Sequence, residues 1–124
     1  MVVDYNLRRQ EPDLTIMNLT GQLTLGNALQ GVEHAIKDLI KQGSRKLVLD
    51  LAQLRFLDSA GVGLLAVCAG AMEKAGGRIV IAGAPSKVEQ VLLMTSLNRI
   101  IGIYPDLAGA CAALADPPTP PATV

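Results

Sequence analysis

Asp58 and Ser59 are the pair in this chain best placed to do chemistry. They follow an apolar run, Leu47, Val48 and Leu49, and precede Ala60, Gly61, Val62, Gly63, Leu64 and Leu65. The run suits a central strand covered on both faces; the residues after it read as a loop and then a helix start. Either Asp58 or Ser59 can cap that helix through a side-chain oxygen. The cap leaves the unpaired N–H groups and the positive dipole end of the first turn beside the Ser59 hydroxyl. An exposed serine in that place could carry an anion. Gly61 and Gly63 have two readings: small residues that let the helix pack closely on a sheet, or clearance for another protein's backbone to approach Ser59.

Other chemistries need residues that the chain lacks. Ser59 does not lie in G-x-S-x-G, and His34 is the only histidine that could serve as its base. His34 sits among the surface charges of a helix pattern, so it reads as solvated. No G-x-x-x-x-G-K-[ST] phosphate loop is present, and residues 21–26 lack the spacing of G-x-G-x-x-G. Cys68 and Cys111 are isolated in Ala-rich surroundings and read as reduced, small apolar residues. With one histidine and no CxxC, no metal site is expected. Asp50, at the end of the apolar run, invites a phosphoryl-accepting aspartate reading, which needs a magnesium site. The first strand ends Leu7-Arg8-Arg9-Gln10 without an acidic pair, and no lysine ends the last strand at Tyr104. Asp50 therefore reads as a bonding partner for loop backbone or a nearby cation. No catalytic residue and no cofactor are expected, and the chain is not read as an enzyme.

The elements that must position Ser59 can be read from periodicity. Val3, Tyr5 and Leu7 alternate with Asp4, Asn6 and Arg8, which predicts a half-buried strand. A turn at residues 10–13 and a second strand over residues 14–20 complete a hairpin. Residues 21–26 read as a loop, with Asn27 as N-cap and Gln30 as its capping-box partner. Leu29, Val32, Ile36, Leu39 and Ile40 then recur at helical spacing, and Gly43 ends that helix. The helix after Ser59 is expected over residues 60–74, stopped by Gly76-Gly77. A short buried strand over 79–82, a helix capped by Ser86 with Glu89, a strand over 100–104 and a helix with Leu107, Ala110, Cys111 and Leu114 on one side complete the order. After the hairpin, strands alternate with helices, and right-handed crossovers make the later strands mostly parallel. The fold class is α/β: an N-terminal antiparallel hairpin, then alternating helices and strands, in a mixed sheet with helices packed on it.

The chain has 124 residues, 50% of them hydrophobic, enough for one compact domain with a core, placed at residues 1–115. Residues 116–124 contain four prolines and almost nothing to bury, so a disordered tail is expected. Eleven basic and eleven acidic residues cancel, and Tyr5, Phe56 and Tyr104 are the only aromatics. That argues against a nucleic-acid surface, which needs a basic stripe and often stacking rings. The N-terminal residues lack a secretory pattern, and no apolar run approaches the roughly 18 residues of a membrane span. A cytoplasmic protein without membrane contact is expected, a monomer with a weak dimer as the alternative.

Residues 57–65, following Val48-Leu49-Asp50-Leu51, resemble the phosphorylation motif of the STAS domain, the module of bacterial anti-sigma factor antagonists. The family motif runs approximately Asp-Ser-Ser/Thr-Gly-Leu-Gly, and Ser59, directly after Asp58, matches the serine that the family's kinase phosphorylates. Gly21-Gln22-Leu23 resembles the segment before the family's first helix, and residues 97–104 resemble its last strand. The resemblance covers residues 3–115. It implies an anti-sigma factor antagonist working by partner switching. The unphosphorylated form would bind an anti-sigma factor, itself a serine kinase, and free the sigma factor; phosphorylation of Ser59 would block binding, and a phosphatase would reset it. The chain is then a kinase substrate that needs no cofactor of its own. Thr24, Asp58, Ala60, Gly61, Val62 and Gly63 are the implied partner contacts. Ala60 stands where many members carry Ser or Thr, and Thr24 where many carry an acidic residue, a departure that bears on partner choice. The second reading is a non-switching STAS subunit of a larger assembly, such as a lipid-transport complex.

Overall fold

A computed structural model describes residues 3–10 and 13–115. The chain builds β1 (Asp4–Gln10), β2 (Leu14–Leu23), α1 (Asn27–Lys41), β3 (Lys46–Leu57), α2 (Ser59–Lys74), β4 (Arg78–Ala82), α3 (Ser86–Met94), β5 (Gly102–Tyr104) and α4 (Leu107–Ala115), with a 3-10 turn at Leu97–Arg99 before β5. The five strands form one sheet in sequence order, β1 to β5. β1 pairs antiparallel with β2, and β2–β3, β3–β4 and β4–β5 are parallel. This is the mixed sheet expected from the strand-helix alternation.

The pleat sends successive side chains of β3 to opposite faces. Leu47, Leu49 and Leu51 enter the larger core cluster, with Val32 and Ile36 of α1, Leu65 and Met72 of α2, and Val88 and Leu92 of α3. Val48 joins Leu14, Ile16, Val80 and Ala82 on the other face, beneath Ala110 and Leu114 of α4. The central run is thus dry on both sides, with Leu47, Val48 and Leu49 fully buried. Cys68 lies inside the larger cluster, and burial, then the nearby Glu33 carboxylate, pushes its thiol up to about 12, so it stays protonated at neutral pH. His34 is exposed on α1, and the half-buried Cys111 carries no disulfide.

Several expectations are corrected. β1 is not half-buried: all seven of its residues are exposed, because the helices cover the inner strands and leave this edge bare. β2 and β3 run well past their expected ends, to Leu23 and Leu57, with irregular register between Asn18 and Thr20 and between Gly21 and Gln22. Each irregularity inserts residues into β3, which breaks the strict alternation of its distal half and hid a strand as a loop. The last strand shortens from residues 100–104 to Gly102–Tyr104, because the 3-10 turn before it draws in Ile100 and Ile101, whose N–H groups both donate to the Leu97 carbonyl. Asn27 begins α1 instead of capping it; Gly26 holds the N-cap position, with no side-chain cap bond. Pro85 holds it for α3, where the Glu89 N–H donates to the Pro85 carbonyl and Ser86 makes no cap bond. Residues 116–124, where a tail was expected, lie outside the described residues.

Candidate functional site

β3 delivers the chain to Asp58 at the carboxyl ends of the parallel strands, and α2 begins at Ser59. Asp58 is the N-cap: its Oδ1 accepts the Gly61 N–H at 2.9 Å. Its Oδ2 accepts the Leu25 N–H at 3.1 Å, from the loop between β2 and α1. The Asp58 N–H donates to the Leu23 carbonyl at 3.3 Å, and its carbonyl accepts the Val62 N–H at 3.0 Å. One residue therefore ties the start of α2 to the end of β2 and to the loop that carries Thr24. The Gly61 N–H first, and the Leu25 N–H second, hold the Asp58 carboxyl below the ordinary 3.8, because both bonds favour the ionised form.

With both Asp58 oxygens turned to backbone, the exposed Ser59 side chain stands at the first position of α2 beside a fixed negative charge. A group added to its oxygen would enter solvent, at the end of a helix dipole that favours anions. Thr24, Ala60 and Val62 are half-buried, and Val62 leans on the core from the surface. The two glycines part company. Gly61 is buried, and a Cβ there would run into the Leu23 carbonyl oxygen, so its smallness serves the packing of α2 against the end of β2. Gly63 is exposed, and a Cβ there would meet only open space.

Leu25 is the residue that sequence reasoning missed. It is 81% exposed beside the cap that fixes Ser59, an apolar side chain held out to solvent by its own N–H bond to Asp58. Its one local signal is a leucine between Thr24 and Gly26, outside any helical or strand periodicity. Asp50 lies back along β3. It accepts the Asn18 side-chain N–H at 2.9 Å and the Ala52 N–H at 3.0 Å, so it serves local backbone and a neighbouring strand. Among the described residues no group of His, Cys, Asp and Glu is arranged to hold a metal. No described helix is long and apolar enough to cross a membrane. A recess of about 550 Å3, lined in part by Arg45, Lys46, Arg78 and Arg99, opens at the amino ends of the strands, the far end from Ser59.

The STAS domain family model matches residues 5–110. A Thermotoga maritima protein carrying the name "putative anti-sigma factor antagonist" is 26% identical over 98 residues, which cover 79% of this chain and 87% of that protein. The crystal structure of a "putative anti-sigma factor antagonist" from Thermotoga maritima superposes with a TM-score of 0.82 at 23% identity, over 90% of this chain and 95% of that one. SpoIIAA of Bacillus in its unphosphorylated form gives a TM-score of 0.75 at 20% identity, over 92% and 99%. The phosphorylated form gives 0.69 at 21%, over 89% and 98%. The STAS domain of a SulP transporter from Vibrio cholerae gives 0.65 at 22%, over 85% and 83%. At these identities the structural likenesses establish the fold.

Proposed function

This chain belongs to the STAS domain family, and from that premise we propose that it is an anti-sigma factor antagonist that works by partner switching, with Ser59 as its phosphorylated residue. The observation that carries the reading is the exposed Ser59 at the first turn of α2, next to an Asp58 whose charge is fixed by two backbone bonds. The relative named for this role and the two phosphorylation forms of SpoIIAA support it. Unphosphorylated protein docks on an anti-sigma factor through Leu25, Thr24, Val62 and the clearance at Gly63, and so frees the sigma factor. That partner is a serine kinase; it moves the γ-phosphoryl group of ATP to the Ser59 oxygen, and a phosphatase hydrolyses the ester to reset the switch.

A phosphate brings about −1.5 to −2 charges at neutral pH. The helix end tolerates it, so the fold survives, but Asp58 is already negative and Leu25 and Val62 make the contact partly apolar. Burying that charge without matched cations costs several kcal/mol, and each roughly 1.4 kcal/mol is a tenfold loss of affinity. Incubation with candidate anti-sigma kinases and ATP, followed by mass spectrometry, should place one phosphate on Ser59. Calorimetric titration should show Ser59→Ala binding like the unmodified protein, Ser59→Asp binding weakly and the phosphorylated form effectively not at all, with unchanged circular dichroism. Equal affinity of phosphorylated and unmodified protein would overturn the switch. It would favour the second reading, a non-switching subunit of a larger assembly, for which the likeness to a transporter's STAS domain speaks.

A further inference from the structure

The sheet has one long bare edge. β1 ends the strand order, so among the described residues its outer backbone groups have no strand partner, and all seven of its residues are exposed. An edge of that length is a template for another strand unless something covers or repels it. Tyr5 and Leu7 project on one face, 46% and 41% exposed, while Asp4, Asn6 and Arg8 project on the other. No described residue forms an ion pair with Asp4 or Arg8.

We propose that β1 pairs antiparallel with β1 of a second copy of this chain, about a two-fold axis through Asn6. The occupant follows from the order Asp4-Tyr5-Asn6-Leu7-Arg8, which is complementary to its own reverse. About that axis Asp4 of each copy opposes Arg8 of the other, and Tyr5 opposes Leu7, so two ion pairs and two apolar pairs form together. Such cross-strand pairs are the unit of sheet stabilisation, and the contact is isologous and closes as a dimer. The arginines also reject the neighbouring register: with the axis moved to Leu7, Asp4 loses Arg8, and Arg9 falls against Tyr5. β5, the opposite edge, has three residues and offers no comparable pattern. β2 separates β1 from β3, the strand that leads to Ser59, and the inference stands apart from the reading of the switch.

Sedimentation velocity over a concentration series, on the full chain, tests this. The wild type should pass from monomer to dimer with rising concentration. Asp4→Arg or Arg8→Asp alone sets like charges opposite each other twice and should weaken the dimer about tenfold. Combining both exchanges rebuilds the two ion pairs and should restore the wild-type constant. Circular dichroism verifies that these exposed changes leave the fold intact. A wild type that stays monomeric at every concentration, single variants that dimerise as the wild type does, or a double exchange that fails to restore the dimer would each overturn the proposal.

Discussion

Asp58 spends its charge on two backbone N–H groups, one three residues ahead at Gly61 and one 33 residues back at Leu25, so the carboxylate is structural before it is anything else. Replacing it by alanine removes the cap and releases the loop of Leu25, and should cost about 0.5–2 kcal/mol. Because the folded carboxyl titrates below the ordinary 3.8, its contribution is complete above that value and fades as the pH falls from there through the lower folded value. Urea unfolding should therefore show a constant gap between wild type and Asp58→Ala from neutral pH down to about pH 5, closing in stronger acid. A gap that persists undiminished in strong acid would mean that the ionised carboxylate is not what holds the loop. The cap itself was legible, since an aspartate before a helix pattern has a local signature. The latch to Leu25 was not, because nothing near residue 25 in sequence records a bond to residue 58.

At the scale of elements, α2 was legible to within one residue of its start and β3 was not. Residues 47–49 announce a strand by being apolar without a break, whereas residues 52–56 mix Ala, Gln, Leu, Arg and Phe because inserted residues reset the face they point to. β1 misled in the other direction: its alternation is real, but no described helix buries Tyr5 and Leu7, and periodicity alone cannot report the cover. The start of α2 gives a paired test of what its glycines do. Gly61→Ala forces a Cβ into the Leu23 backbone and should destabilise by about 1–3 kcal/mol. Gly63→Ala meets open space and should stabilise by up to about 1 kcal/mol, since glycine is a poor helix former. Thermal melts of the two variants decide it, and similar melting temperatures would show that α2 does not press on β2 at Gly61. Partner titration then separates the roles: Gly63→Ala should lose affinity despite its stability, as a proposed point of close approach requires.

The whole molecule rests its sheet on two unequal supports. Three helices cover one face, and among the described elements α4 alone covers Leu14, Ile16, Val48, Val80 and Ala82 on the other. The stripe Leu107, Ala110, Cys111 and Leu114 was readable at helical spacing, but the face it would serve was not, because an apolar strand run looks the same from both sides. Ala110 and Leu114 are its buried members, at 0% and 2% exposure, so the second core hangs on very few side chains. Leu114→Ala should cost about 2–5 kcal/mol, the range for emptying a buried leucine site. Ending the chain at residue 105 would strip the cover from a row of fully apolar residues, and soluble, cooperatively folding protein should no longer be recovered. Ending it at residue 116 removes Pro117-Pro118-Thr119-Pro120-Pro121 and the three residues after them, which bring no apolar face, and the melting temperature should hold. The two truncations differ by one short helix, so calorimetric melts isolate what α4 contributes. A shortened chain that still melts cooperatively without α4 would show that the sheet tolerates an open face. A large loss on removing only residues 117–124 would place part of the second core beyond α4.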